Sequence, residues 1–136
     1  MEYEDCDEFK TTTGLSNIGN TCFMNSALQL LTHCDILTCF IKDNRLNKNL
    51  SSCYQDFLEE YDSAKKYFSP RDLKNTIGDK FKIFRGYGQQ DSHEFMINFL
   101  DMLEEDLKKE NISDENKTIV SDLFDCKVKT IIKSTE

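Results

Sequence analysis

The chain has 136 residues, enough for one domain or part of one. Apolar residues make up 38% of it and 15 are aromatic (10 Phe, 5 Tyr), which excludes a disordered composition and supplies a core. The net charge of −8 argues against a nucleic-acid backbone or an anionic membrane as partner, and no apolar run approaches the ~18 residues of a membrane span.

The six cysteines, Cys6, Cys22, Cys34, Cys39, Cys53 and Cys126, contain no C-x-x-C pair. The acidic start Glu2-Tyr3-Glu4-Asp5 is unlike a secretory signal. Reduced thiols and a cytoplasmic or nuclear location are therefore expected. Residues 1–13, with five acids among the first eight positions, read as a mobile, solvated leader.

Next comes Gly14-Leu15-Ser16-Asn17-Ile18-Gly19-Asn20-Thr21-Cys22-Phe23-Met24-Asn25-Ser26. It is rich in glycine and asparagine up to Cys22. It then takes on a helical apolar period, Phe23, Ala27, Leu30 and Leu31. Cys22 therefore stands at the first turn of a helix that runs to about His33. Unpaired N–H groups and the peptide dipoles favour a thiolate there, and a thiolate attacks carbonyls. The preceding loop can turn N–H groups and the Asn17 amide toward an oxyanion. The plainer possibility is a small buried cysteine after a glycine turn.

A second short helix is expected over Ile36–Ile41, capped by Asp35, followed by a polar loop over Asp43–Ser51. Ser51 or Ser52 then caps a helix with Tyr54, Phe57, Leu58 and Tyr61 on its apolar face. Ser69-Pro70 is a helix start, and Leu73, Ile77 and Phe81 form its stripe. After the loop Phe84-Arg85-Gly86-Tyr87-Gly88, Gln89 or Gln90 opens the longest helix, to about Glu110. Its core face is Phe95, Phe99, Met102, Leu103 and Leu107. Asn111–Asn116 is a polar loop, and Ile119, Val120, Leu123 and Phe124 are apolar. From Cys126 the period becomes two (Cys126, Val128, Thr130, Ile132), a strand signature.

Gln89-Gln90-Asp91-Ser92-His93-Glu94 is a second polar cluster. It reads as a solvated helix start or, with the glycines before it, as a place where Gln89 and Asp91 bond the backbone of an extended peptide. His93 is a tempting base for Cys22 on residue type alone. His33 is less so, at roughly 16 Å along the same helix. His33-Cys34 with Cys39 does not complete a zinc set, so no metal or other cofactor is expected.

The two stretches together resemble the ubiquitin-specific proteases. Gly14-Leu15-x-Asn17-x-Gly19-Asn20-Thr21-Cys22-Phe23-Met24-Asn25-Ser26 is similar to the family's Cys box. Gly86-Tyr87-x-Gln89-Gln90-Asp91-Ser92-His93-Glu94-Phe95 is similar to its second box. The order is the family's, and Leu123-Phe124 with the strand expected from Cys126 resembles the segment leading into its fingers.

The resemblance implies a mainly α chain, residues 14–136 being the thumb half of a papain-like α+β cysteine protease fold, ending in one or two strands. It implies that Cys22 is the nucleophile toward the carbonyl of ubiquitin's C-terminal glycine and that Asn17 donates to the oxyanion. Gln89 and Asp91 then line the channel for ubiquitin's tail, and ubiquitin or ubiquitinated proteins are the partners. His93 matches a position that is not the family's base, which lies in a third box on the palm. These residues hold neither that box nor the cysteine pairs of the fingers. The implied function is a cysteine-type deubiquitinase present as an incomplete catalytic domain, inactive alone. The alternative is a non-catalytic ubiquitin-tail-binding or helical interaction module.

Overall fold

The computed structural model describes residues 13–64, 66–112 and 117–133. The elements run β1 (Gly14–Leu15), α1 (Cys22–Thr32), α2 (Asp35–Asp43), α3 (Asn49–Ser63), β2 (Tyr67–Phe68), α4 (Arg71–Lys80), a 3-10 turn (Lys82–Phe84), α5 (Ser92–Lys109) and α6 (Ile119–Phe124). The architecture is mainly helical, as expected. No helix among the described residues is long and apolar enough to cross a membrane.

The apolar stripes explain the packing. Phe95, Phe99, Met102, Leu103 and Leu107 all lie buried on one face of α5. Tyr54, Phe57, Leu58 and Tyr61 do the same on α3. Tyr54 stands edge-on to Phe99, with ring centroids 5.1 Å apart, which joins the two faces. α1 and α4 close the core with Phe23, Met24, Ala27, Leu28 and Leu31, and with Leu73 and Ile77.

Several boundaries differ from the sequence expectation. α3 opens at Asn49, ahead of Ser51, and its opening N–H groups are met by a carboxylate of α5. α4 begins at Arg71 with Pro70 in the cap position and no side-chain cap. Asp91 caps α5, so Gln89 and Gln90 precede the helix.

The expected strand after Cys126 does not form: residues 125–133 are outside any helix or strand and exposed. A strand needs a neighbour for its backbone groups, and alternation alone does not provide one. The strands that do form are elsewhere. β1 and β2 pair in parallel, with Gly14 opposite Tyr67 and Leu15 opposite Phe68.

Of the expected leader, only Thr13 lies among the described residues, and it is buried. Its Oγ1 donates to the Ala64 carbonyl (3.1 Å), and its own carbonyl accepts from the Tyr61 hydroxyl (2.7 Å). Residues 113–116 of the expected polar loop lie outside the described residues. Cys22, Cys34, Cys53 and Cys126 are free thiols. Cys39 departs from the expectation of reduced thiols and carries a disulfide, since proximity in space, and not composition, decides bonding.

Candidate active site

Between β1 and α1 the chain makes a tight loop tied by its own side chains. The Asn17 Oδ1 accepts from the N–H of Gly19 (3.0 Å), the N–H of Thr21 (3.2 Å) and the Thr21 hydroxyl (3.3 Å). Thr21 Oγ1 in turn accepts from the N–H of Ile18 (3.1 Å). Gly19 at φ 110° and Asn20 at φ 50° take the left-handed turns, which suit glycine and asparagine.

These bonds commit the Asn17 side-chain carbonyl to the loop, whereas its amide nitrogen has no acceptor among the described residues. They also turn the Thr21 side chain back into the loop, so that it does not cap α1. The opening N–H groups of α1 are left without a side-chain acceptor, and Cys22, its first residue, is exposed. Cys53, on α3, is half-buried. Burial pushes its thiol up from the ordinary value, partly offset by a hydrogen bond from Thr76 (3.4 Å), so less of it is thiolate.

The second loop leads into α5. Asp91 Oδ1 accepts from the Glu94 N–H (2.9 Å), and its Oδ2 has no partner among the described residues. Gln89 is exposed just before this cap. The aromatic rings of Phe23, Phe84 and Phe95 meet beneath both loops, with centroid separations of 5.4 to 5.8 Å. Phe23 follows Cys22 directly, and Phe95 lies one helical turn after Asp91. The triangle therefore sets the relative position of the two helix starts. Above it, Ser92 Oγ donates to the Phe23 carbonyl (2.9 Å) and lies 3.2 Å from Ser26 Oγ.

The loops also touch directly. Asn20 Nδ2 donates to the Tyr87 carbonyl (2.8 Å). The Tyr87 ring lies on Gly19, where a Cβ would come within 2.6 Å of its Cδ1. Asn17, Cys22, Gln89 and Asp91 are thereby carried on two adjoining loops and the helix starts that follow them. Neither histidine is hydrogen-bonded to Cys22. His93 is exposed on the first turn of α5, and His33 Nδ1 is 2.7 Å from the Gln29 carbonyl oxygen at the far end of α1.

Sequence reasoning placed Thr21, Tyr87 and Ser92 within the two motifs without giving them a role, and it missed Lys74. For Lys74 a signal existed: it shares a helix face with Ile77 and Gly78, at i+3 and i+4. No group of three or more His, Cys, Asp or Glu among the described residues is placed to hold a metal ion.

Residues 13–136 match the family model described as ubiquitin carboxyl-terminal hydrolase. The chain is 32% identical to ubiquitin carboxyl-terminal hydrolase Usp2 of Drosophila melanogaster over 153 aligned residues, covering 90% of the chain and 16% of that protein. It is 37% identical to ubiquitin carboxyl-terminal hydrolase 32 of Mus musculus and of Homo sapiens over 113 residues, 74% of the chain and 7% of each relative. The chain thus spans a small part of the length of these curated relatives.

Proposed function

The chain belongs to the ubiquitin carboxyl-terminal hydrolase family, and from that premise we propose that Cys22 is the nucleophile of a cysteine-type deubiquitinase site. One observation carries the reading. An exposed cysteine opens a helix whose first N–H groups have no side-chain cap, five residues after an asparagine with a committed carbonyl and an available amide.

In this reading the Cys22 thiolate adds to the carbonyl carbon of ubiquitin's C-terminal glycine. The Asn17 amide and the open N–H groups of α1 receive the developing oxyanion. The bond to the leaving amine breaks as that nitrogen takes a proton, and water later hydrolyses the thioester. Gln89 and the open oxygen of Asp91 bond the extended tail of ubiquitin, which approaches over the second loop. The base comes from outside these residues: His33 faces the Gln29 carbonyl at the far end of α1, and His93 is exposed with no hydrogen bond to Cys22 among the described residues. These residues then form an incomplete catalytic domain: they supply the nucleophile and one wall of the tail channel, and turnover alone is slower by orders of magnitude.

The test is labelling with ubiquitin that carries a thiol-reactive group at its C-terminus, on the chain and on Cys22→Ala. The expected result is an adduct at Cys22, absent from the variant, with no measurable turnover of a ubiquitin amide. A folded chain whose Cys22 reacts with a small alkylator but never with the ubiquitin probe would overturn the proposal.

A further inference from the structure

We propose that Lys74 is a positioning residue that clasps the second loop onto the nucleophile loop, acting through Tyr87. The proposal rests on the assignment of Cys22 above and adds what holds its surroundings in place.

Lys74 lies on α4, away from both sequence motifs, and is only 8% exposed. An ammonium so buried is costly unless it is paired. Its Nζ donates to the carbonyls of Arg85 and Gly86, each at 3.1 Å, and stands 5.3 Å from the centre of the Tyr87 ring. The loop it grips has little else to hold it. Among the described residues, no backbone–backbone hydrogen bond outside the regular elements involves residues 86–90. The Gly86 carbonyl is held by Lys74 and the Tyr87 carbonyl by Asn20.

α4 is shaped for this approach. Gly78, one turn after Lys74, lets the Arg85 backbone come so near that a Cβ would stand 3.0 Å from the Arg85 Cα. The chain of contact is then continuous. Lys74 fixes Arg85 and Gly86 and attracts the face of Tyr87. Tyr87 covers Gly19, and Asn20 ties back to Tyr87. Gly19 and Asn20 belong to the loop that orients Asn17 and delivers Cys22. A Met at position 74 would fill the same volume without gripping the loop.

The test uses the whole chain with Lys74→Met, Lys74→Arg and Tyr87→Leu. Methionine keeps the buried stem and removes the donors, whereas arginine keeps donors and charge. The first readout is the NMR shift of the Gly19 α-protons, which the Tyr87 ring displaces. Tyr87→Leu should abolish the displacement, Lys74→Met should remove most of it, and Lys74→Arg should retain it. The second readout is labelling of Cys22 by the ubiquitin probe divided by its alkylation by chloroacetamide, followed on the Cys22 peptide. The ratio should fall about tenfold in Lys74→Met and Tyr87→Leu and recover in Lys74→Arg to within about threefold of the parent.

An unchanged Gly19 shift in Lys74→Met would overturn the clasp, and an unchanged ratio would overturn its role in positioning. Equal losses in Lys74→Met and Lys74→Arg would reduce Lys74 to a packing residue and overturn the proposal as well. If Lys74→Met does not fold, Lys74→Gln takes its place, with the same expected losses in both readouts and the same outcomes overturning the proposal. If the parent chain is not labelled by the ubiquitin probe, the assignment of Cys22 fails, and the Gly19 shift still decides the clasp.

Discussion

The starts of α1 and α3 pose the same physical problem and solve it in opposite ways. Each leaves helix N–H groups without internal partners and gathers partial positive charge. At α3 one carboxylate of α5 meets that demand, and a second, Glu110 just after α5, ties down the residues that lead into the helix. Asp106 Oδ2 accepts from the N–H groups of Leu50 (2.9 Å) and Ser51 (3.2 Å). Glu110 Oε1 accepts from Asn47 (2.6 Å), Lys48 (2.7 Å) and the Ser51 hydroxyl (3.2 Å). At α1 the cap residue Thr21 turns its hydroxyl into the preceding loop, and Cys22 stands exposed. One helix start is spent on holding the fold together. The other forgoes a stabilising cap, and its donors and field are left for a charged partner.

The largest effect should come from removing the aromatic base beneath the α1 start. Phe95→Ala deletes a ring that meets both Phe23 and Phe84 under the loops. It should cost about 4 kcal/mol in urea unfolding and weaken ubiquitin-probe labelling together with stability. Labelling that survives this change would separate the site from the aromatic base.

The next effect separates the two helix starts. Asp106→Ala removes a 7% exposed carboxylate from the α3 cap. It should destabilise the chain by about 2 to 3 kcal/mol while Cys22 alkylation in the folded state stays within about twofold of the parent. A matching fall in Cys22 reactivity would show that the two starts are not independent.

The smallest effect is one of pH. Partial burial pushes the Glu110 carboxyl up, but hydrogen bonds from Asn47, Lys48 and Ser51 outweigh it and leave the group below the ordinary carboxylate range. The unfolded state therefore binds this proton more readily. The stabilisation from Glu110 should be complete above the ordinary value near ~4.3 and fade as pH falls through the lower folded one. Melting temperatures of the parent and Glu110→Gln should differ at pH ~6 and converge toward pH ~3. A gap that widens on acidification would reverse the sign and remove Glu110 from the cap.

Much of this arrangement can be read in the residues themselves. The stripes on α3 and α5 are periodic and long, and each residue assigned to them is buried. The helix start at Cys22 is legible because glycine and asparagine give way abruptly to an apolar period. The strands are not. Gly14-Leu15 and Tyr67-Phe68 are too short to show a period, and their pairing joins distant parts of the chain. The alternation after Cys126 points the other way, toward a strand that finds no partner among the described residues. Sequence alone puts the α3 cap on Ser51 or Ser52 because the acceptor of its opening N–H groups, Asp106, lies more than fifty positions further on.

The sequence by itself determined helices α1 to α5, the buried faces of α3 and α5 and the residue types at the two motifs, whereas Leu30, on the apolar period of α1, is exposed. These depend on neighbours within a turn or two, where spacing and side-chain chemistry suffice. Only the tertiary structure decided how the motifs meet: the Phe23–Phe84–Phe95 base, the Tyr87 ring on Gly19, the grip of Lys74 on Gly86 and the Asp106 carboxylate that caps α3 while α1 has none. Those contacts join residues far apart in the chain. They exist because burial favours apolar and hydrogen-bonding partners that meet in space, wherever in the sequence those partners lie.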